Sequence, residues 1–256
     1  MERTAVLGRL GRRRAPLTWR LGTVTALRDE TRHARTLVLD VPDWPQDQLA
    51  GMHVDVRLTA DDGYQAERSY SIASAPEDTG LALTVERIDD GEVSPYLTEE
   101  VQVGDGFELR GPIGGYFTWH ISDGGPLVLV AGGSGLVPLM AMIRHRMREA
   151  SEVDTRLLLS SRSWADVLYQ QELAAAPDQG VATYFTLTRH SDPGWTGWTR
   201  RVDAEMLSEV GPDPAQRPLV YVCGPTPFVE GVAGLLVDLG HEAGQVHTER
   251  FGPTGG

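Results

Sequence analysis

The sequence predicts two domains of different class: an N-terminal six-stranded antiparallel β-barrel and a C-terminal α/β domain built on a parallel sheet. Two observations carry this. Residues 20 to 118 hold short alternating apolar runs parted by Gly, Pro and Asp clusters, the pattern of a small barrel. From residue 126 onward, apolar strands alternate with helix-length segments, the pattern of an open parallel sheet. The length of 256 residues suits two domains of ordinary size. The sequence divides into an arm over 1–19, a barrel over 20–120 and an α/β domain over 121–256, with the boundary at "HISDGG".

The barrel strands are "GTVTAL", "ARTLVLDV", "MHVDVRLT", "RSYSIAS", "LALTVERI" and "GFELRG". One short helix interrupts them, where Ser94 can act as N-cap and Pro95 fits the first turn. In the second half "PLVLVA" leads to the helix "LVPLMAMIRHRMREA", and "TRLLLSS" to the amphipathic "DVLYQQELAAA". "VATYFTLT" passes through a Gly/Trp-rich loop, with Trp195 and Trp198 as packing residues, to "AEMLSEV". "PLVYVCG" leads to "PTPFVEGVAGLLVDLG", and "QVHTERF" closes the sheet.

A net charge of -13 argues against non-specific nucleic-acid binding. The basic residues are all Arg, five of them near the start (Arg3, Arg9, Arg12, Arg13, Arg14), which read as a solvated arm with partner docking as the other possibility. The longest apolar run, Leu127 to Ala131, is too short to cross a bilayer, and the first residues lack an apolar signal segment. The expectation is a soluble, cytoplasmic protein with no membrane role. The single cysteine, Cys223, excludes a disulfide framework or a four-thiolate iron–sulfur cluster within this chain.

Gly132, Gly133, Ser134 and Gly135 lie between a buried strand and a helix. Glycines there let the backbone approach a pyrophosphate, and the helix start offers free N–H groups. A plain tight turn would use the same residues. A second turn, Cys223, Gly224 and Pro225, follows another buried strand, and two such turns at one sheet edge form a crevice. Cys223 reads either as a small buried residue or as a sulfur facing a ring. In the barrel, "AERSYSIAS" sets Arg68 and Tyr70 on one face of a strand and Ser69 and Ser71 on the other. An Arg suits a phosphate, a Tyr the face of a flat heterocycle, and a hydroxyl a ring nitrogen. His53 reads as a structural barrel residue, and His33 and His145 as surface.

Taken in order, "RSYS", "GEVSPYL", "GPIGGYF", "AGGSGLVPLMAMIRH", "YVCGPTPFVEG" and "ERF" resemble the ferredoxin–NADP(+) reductase superfamily over residues 20 to 252, and most resemble stand-alone bacterial reductases that serve oxygenases or ferredoxins. The resemblance implies FAD, with Arg68 on its pyrophosphate, Tyr70 on its ring and Ser71 near N5. Backbone groups at Val85, and the turn of Gly91, Val93 and Ser94, would hold the rest of the flavin; the two phosphate anchors favour FAD over FMN. It implies that Gly132, Gly133, Ser134 and Gly135 take the nicotinamide pyrophosphate and that Cys223, Gly224 and Pro225 lie near the nicotinamide. Arg162 and Arg189, at strand ends, favour NADPH and leave NADH open. Phe251 would cover the flavin face with Glu249 nearby as a proton-handling group, although five residues follow Phe251, unlike plant-type members. Tyr169 could stack on adenine, and Tyr116 and Phe117 would close the barrel near the ADP part of FAD. The implied activity is hydride transfer between NAD(P)H and FAD, with Ser71, Cys223, Glu249 and Phe251 at the reacting rings. Single electrons would then pass to a separate chain, ferredoxin or another iron–sulfur or heme protein, with Arg12 to Arg14, Arg28 and Arg32 as a docking patch. Use of an oxygenase component, or of a flavin or ferric complex, as acceptor is the alternative. No metal site is expected.

Overall fold

The computed structural model describes residues 17–252, so Arg12 to Arg14 and the last four residues lie outside the described residues. The first half forms β1 (Trp19–Thr31), β2 (Ala34–Asp40), β3 (His53–Thr59), β4 (Gln65–Ser71), β5 (Leu81–Glu86) and β6 (Gly106–Ile113). They make one six-stranded sheet in the order β4-β3-β6-β1-β2-β5. Every pairing in it is antiparallel. The two end strands meet: Ile72 bridges Leu83, and the Ala73 N–H donates to Ala82 O at 2.7 Å, which closes the barrel. Alternate residues point inward, among them Leu37, Leu39, Val54, Val56, Leu83 and Val85, all fully buried. Val93, Leu97 and Val101, around a five-residue π-helical turn at Tyr96–Glu100, join this core.

The second half forms β7 (Leu127–Gly132), α1 (Leu136–Arg148), β8 (Thr155–Ser161), α2 (Gln170–Ala175), β9 (Val181–Leu187), α3 (Ala204–Val210), β10 (Leu219–Pro225), α4 (Thr226–Asp238) and β11 (Val246–Phe251). The strands lie in the order β11-β10-β7-β8-β9, all parallel. Strand order reverses between β7 and β10, the switch point at which open α/β sheets bind ligands. Both sheet faces are covered, so β7 reads as an unbroken apolar run. Leu127, Leu129 and Ala131 pack under α1, and Val128 and Val130 under α3 and α4.

The α1-side core is shared across the seam, since Ala34, Ala50, Ala73, Phe117 and Trp119 of the first half belong to it. Phe117 sets its ring edge-on to Tyr221 at 5.3 Å, and the Tyr116 carbonyl accepts from His247 Nδ1 at 3.1 Å. This pair therefore joins the barrel to the sheet instead of closing the barrel. His145 is buried, not surface: its Nδ1 lies 2.7 Å from Glu77 Oε1, and the Trp119 ring stands edge-on to it. "DVLYQQELAAA" is helical only over Gln170–Ala175, because Tyr169 before it takes a left-handed conformation with φ 55°. Trp195 and Trp198 do pack, against Trp164 and Tyr184.

Arg146 is buried and has no ion pair among the described residues. Its guanidinium instead ties three carbonyls together: Val153 O at 2.8 Å, Gln179 O at 2.8 Å and Gly180 O at 3.2 Å. Replacing Arg146 by Met should leave those carbonyls without donors and lower unfolding free energy by about 3 kcal/mol, measured by urea titration.

Candidate functional site

On the barrel side, Arg68 and Tyr70 point the same way from β4. Arg68 is exposed; its Nη2 donates to Glu92 Oε2 at 2.7 Å and its Nη1 to Glu67 O at 2.7 Å. The Tyr64 hydroxyl donates to the other oxygen of Glu92 at 2.8 Å. Glu92 stands in the 88–94 loop, so this ion pair brings Arg68 to the Gly91–Ser94 turn. An exposed pair of this kind is weak and readily exchanged for another anion. Tyr70 is half-buried against the barrel core, and burial pushes its phenol up, so it stays neutral. Ser71 ends the strand opposite His53, whose imidazole burial holds below its ordinary range.

The 88–94 loop is tight. The Gly91 N–H donates to Ile88 O at 2.9 Å, and a Cβ on Gly91 would lie 3.0 Å from Ser94 Oγ. Ser94 does not cap the following turn: its hydroxyl accepts from the Ile88 N–H at 3.0 Å, bracing the loop from within. With five residues and no side-chain cap, that turn is too short to offer the anion-binding terminus expected of a helix. Val85 and Val93 bury their side chains in the barrel core, which leaves only their backbone for a ligand.

On the sheet side the two glycine turns touch. A Cβ on Gly135 would fall 2.2 Å from Cys223 O, and one on Gly224 would fall 3.2 Å from Gly132 Cα. The Phe228 ring lies beneath both turns, 2.8 Å from a Cβ on Gly132 and 2.7 Å from one on Gly224. Gly133, by contrast, has φ 57° and open space where a Cβ would point. The turn is thus crowded from behind and open in front, a backbone cradle. It faces a cavity of about 210 Å³ lined by Gly132, Gly133, Ser134, Arg162, Pro225 and Phe251. Thr31, His33, Ala34 and Glu86 of the barrel line the same cavity, so His33 belongs to the cleft and not to the open surface. Arg189 does not line it; its N–H donates to Arg162 O at 2.9 Å.

Cys223 and Glu249 are paired neighbours on β10 and β11, with Pro225 beside Phe251 two residues further along. Cys223 is buried, and its thiol is held well above the usual range by burial and by the Glu249 charge. Burial pushes the Glu249 carboxyl up to about 7. Its Oε2 is shut off from solvent and has no hydrogen-bond partner among the described residues. An orphaned acid at a sheet edge is a group waiting for a polar ligand atom or a proton. Phe251 is about a third exposed, at 37%.

The cradle, the exposed Arg68 and the orphaned Glu249 suit a nicotinamide dinucleotide lying on the sheet edge and a flavin dinucleotide lying on the barrel. The oxidoreductase FAD-binding domain family matches residues 22–118, and the oxidoreductase NAD-binding domain family matches residues 129–234. The chain belongs to the ferredoxin–NADP(+) reductase superfamily. Among members of this superfamily, the glycine betaine monooxygenase reductase subunit of Pseudomonas aeruginosa is 30% identical over 208 residues. That match takes in 80% of this chain but only 56% of the relative, so the chain spans little more than half of that protein's length. The 3-ketosteroid-9-alpha-monooxygenase ferredoxin reductase component of Mycobacterium tuberculosis is 30% identical, over 87% of this chain and 63% of that one. Among solved structures, the FAD/NAD-binding domain of nitric oxide dioxygenase from Vibrio cholerae is 25% identical, with a TM-score of 0.81 over 91% of this chain and 99% of that one.

Several residues of this superfamily member's cleft escaped the sequence reading. Glu92 lies inside "GEVSPYL" and Phe228 follows "CGPTP", so both motifs held a signal. His33 and Asp166 also line the cavity, and nothing in their spacing marks them.

Burial of Glu249 has a consequence for stability. Its folded value lies above its unfolded one, so it favours the folded state below about pH 4.5 and loses that contribution as pH rises through about 7. Glu249→Gln should match the wild type at pH 4.5 and exceed it by about 3 kcal/mol at pH 8, read by urea titration at both values.

Proposed function

We propose that this protein is an NAD(P)H-dependent flavoprotein reductase that hands single electrons to a separate iron–sulfur or heme protein, a ferredoxin first among them. The observation that carries the reading is the cleft itself, where Thr31, His33, Ala34 and Glu86 of the barrel meet Gly132, Gly133, Ser134 and Pro225 of the sheet edge in one cavity, with Arg68, Tyr70 and Ser71 outside it. When bound, the two cofactors supply the chemistry: hydride moves from the nicotinamide to the flavin, which then releases electrons one at a time.

The chain's own residues bind and align. Arg68 would exchange Glu92 for the flavin diphosphate, and backbone N–H groups of residues 92–94 would face the same anion. Tyr70 would offer its ring face to the flavin and Ser71 its hydroxyl to the flavin edge. Gly132, Gly133, Ser134 and Gly135 cradle the nicotinamide diphosphate. Cys223, Gly224 and Pro225 would hold the nicotinamide ring at the sheet edge, in line with its acceptor. Phe251 shields the ring face and yields to the nicotinamide. Glu249, poised near neutrality, holds or passes a proton beside Cys223.

Arg162 favours NADPH. It lines the cavity and has no ion pair among the described residues, whereas Asp166 opposite accepts the Ser163 hydroxyl at 2.6 Å. A 2′-phosphate would meet the guanidinium fork. The names of the two relatives, a monooxygenase reductase subunit and a ferredoxin reductase component, support a protein acceptor. The Arg28 and Arg32 hairpin beside the cavity would take part in docking, although Arg28 already pairs with Glu30 at 3.4 Å. Among the described residues no helix is long and apolar enough to cross a membrane, in keeping with work in the cytoplasm. Delivery to a free flavin or ferric complex is the second reading.

Mixing the FAD-loaded protein with NADPH should bleach the flavin band, and cytochrome c should then be reduced only after ferredoxin is added. A protein that stays yellow with NADPH and NADH contradicts the reading. Arg162→Ala should raise KM for NADPH about tenfold and leave that for NADH within about twofold.

A further inference from the structure

We propose that Arg144 and Tyr169 are positioning residues: through a buried polar path across the seam, they fix the angle at which the nicotinamide half meets the flavin half. The proposal rests on the reductase reading above. Arg144 lies on α1, the helix that starts at the glycine cradle. Its Nη1 donates to Ala73 O at 2.6 Å, just beyond Ser71 at the exit of the flavin-side strand. Its Nε and Nη2 grip both oxygens of Glu172 at 2.8 and 2.7 Å. The guanidinium lies over the Tyr169 ring, 4.5 Å from its centroid.

Tyr169 continues the path into the barrel. Its hydroxyl donates to Thr84 Oγ1 at 2.5 Å, Thr84 meets Thr36 at 2.7 Å, and Thr36 donates to Glu30 Oε1 at 2.7 Å. The Tyr169 N–H reaches the other oxygen of Glu30 at 3.3 Å. Thr84 directly precedes Val85, so the path ends on the second strand expected to touch the flavin. Tyr169 is buried and holds φ 55°, a conformation that a bulky residue keeps only where its surroundings impose it.

An apolar seam alone would hold the two halves together, because apolar contact has no preferred direction. Hydrogen bonds do have one, and a buried chain of them is satisfied in one relative orientation. Three segments beside the cofactor cleft are therefore locked to one another: the exit of β4, the strand β5 and the helix α1. Hydride transfer is steeply sensitive to such alignment, with a displacement of about 1 Å costing up to about a hundredfold.

Tyr169→Phe removes one hydroxyl and keeps the ring under Arg144. Stopped-flow bleaching at saturating NADPH should slow about tenfold, while FAD content, melting temperature and KM for NADPH change little. The long-wavelength charge-transfer absorbance formed when NADP+ is added to the photoreduced protein should weaken. Thr84→Val should give the same loss from the barrel side, and the double variant no more than either alone. Thr84→Ser, which keeps the hydroxyl, should restore the rate. Unchanged bleaching in Tyr169→Phe and Thr84→Val overturns the proposal. So does a Tyr169→Phe protein that loses its FAD or unfolds, because the hydroxyl would then serve stability and not alignment. Wild-type protein that stays yellow with either nucleotide removes the reductase reading, and the proposal with it.

Discussion

Helix α1 is held at its two ends by unlike things, and that constraint organises the rest of the protein. Its first turn grows out of the glycine cradle at the sheet edge. Its last turns are gripped by the barrel: Arg144 by Ala73 O, His145 by Glu77, and Arg148 by Asp78 at 2.8 Å. The loop that supplies those partners follows directly from the strand of Arg68, Tyr70 and Ser71. One rigid rod thus sets the distance between the glycine turns of the sheet and the loop that follows β4. Close packing in the shared apolar core keeps it from sliding.

The sheet edge combines crowding with emptiness. Behind the turns, backbone lies against backbone and against Phe228, so a methyl group has no room. In front, Gly133 opens on the cavity. The same geometry buries Cys223 and Glu249 beside each other, where a carboxylate is poorly solvated and its proton is retained up to about pH 7. A group that titrates near neutrality beside a redox cofactor can take up or release a proton as charge moves.

Charge is used differently on the two sides. The outer barrel face carries ion pairs that solvent screens, such as Arg57 with Glu108 and Arg110 with Asp55, with both guanidinium groups over the Trp19 ring. Arg144 at the seam and Arg146 within the α/β half are largely shut away from water and spend their donors on fixed acceptors. An all-arginine chain suits that use, since the planar fork keeps several hydrogen bonds in one orientation.

The two domain classes, all eleven strands and the glycine turns were legible in the sequence, because each is dictated by a local rule: alternation, apolar runs or a backbone in need of space. The contact of Arg68 with the 91–94 turn runs through Glu92, which the sequence reading passed over. What the neighbours would do to a side chain was not legible. Ser94 reads as a cap and instead braces its own loop; His145 reads as surface and is buried; Tyr169 reads as a stacking platform and is a strut. Tyr116 and Phe117 read as part of the barrel and serve the seam. For Ser94 the deciding partner is the Ile88 N–H six residues back, brought near by the fold of the loop itself. For His145, Tyr169, Tyr116 and Phe117 it lies far along the chain and comes near only when barrel and sheet dock, so burial and hydrogen bonding at the seam belong to tertiary structure alone.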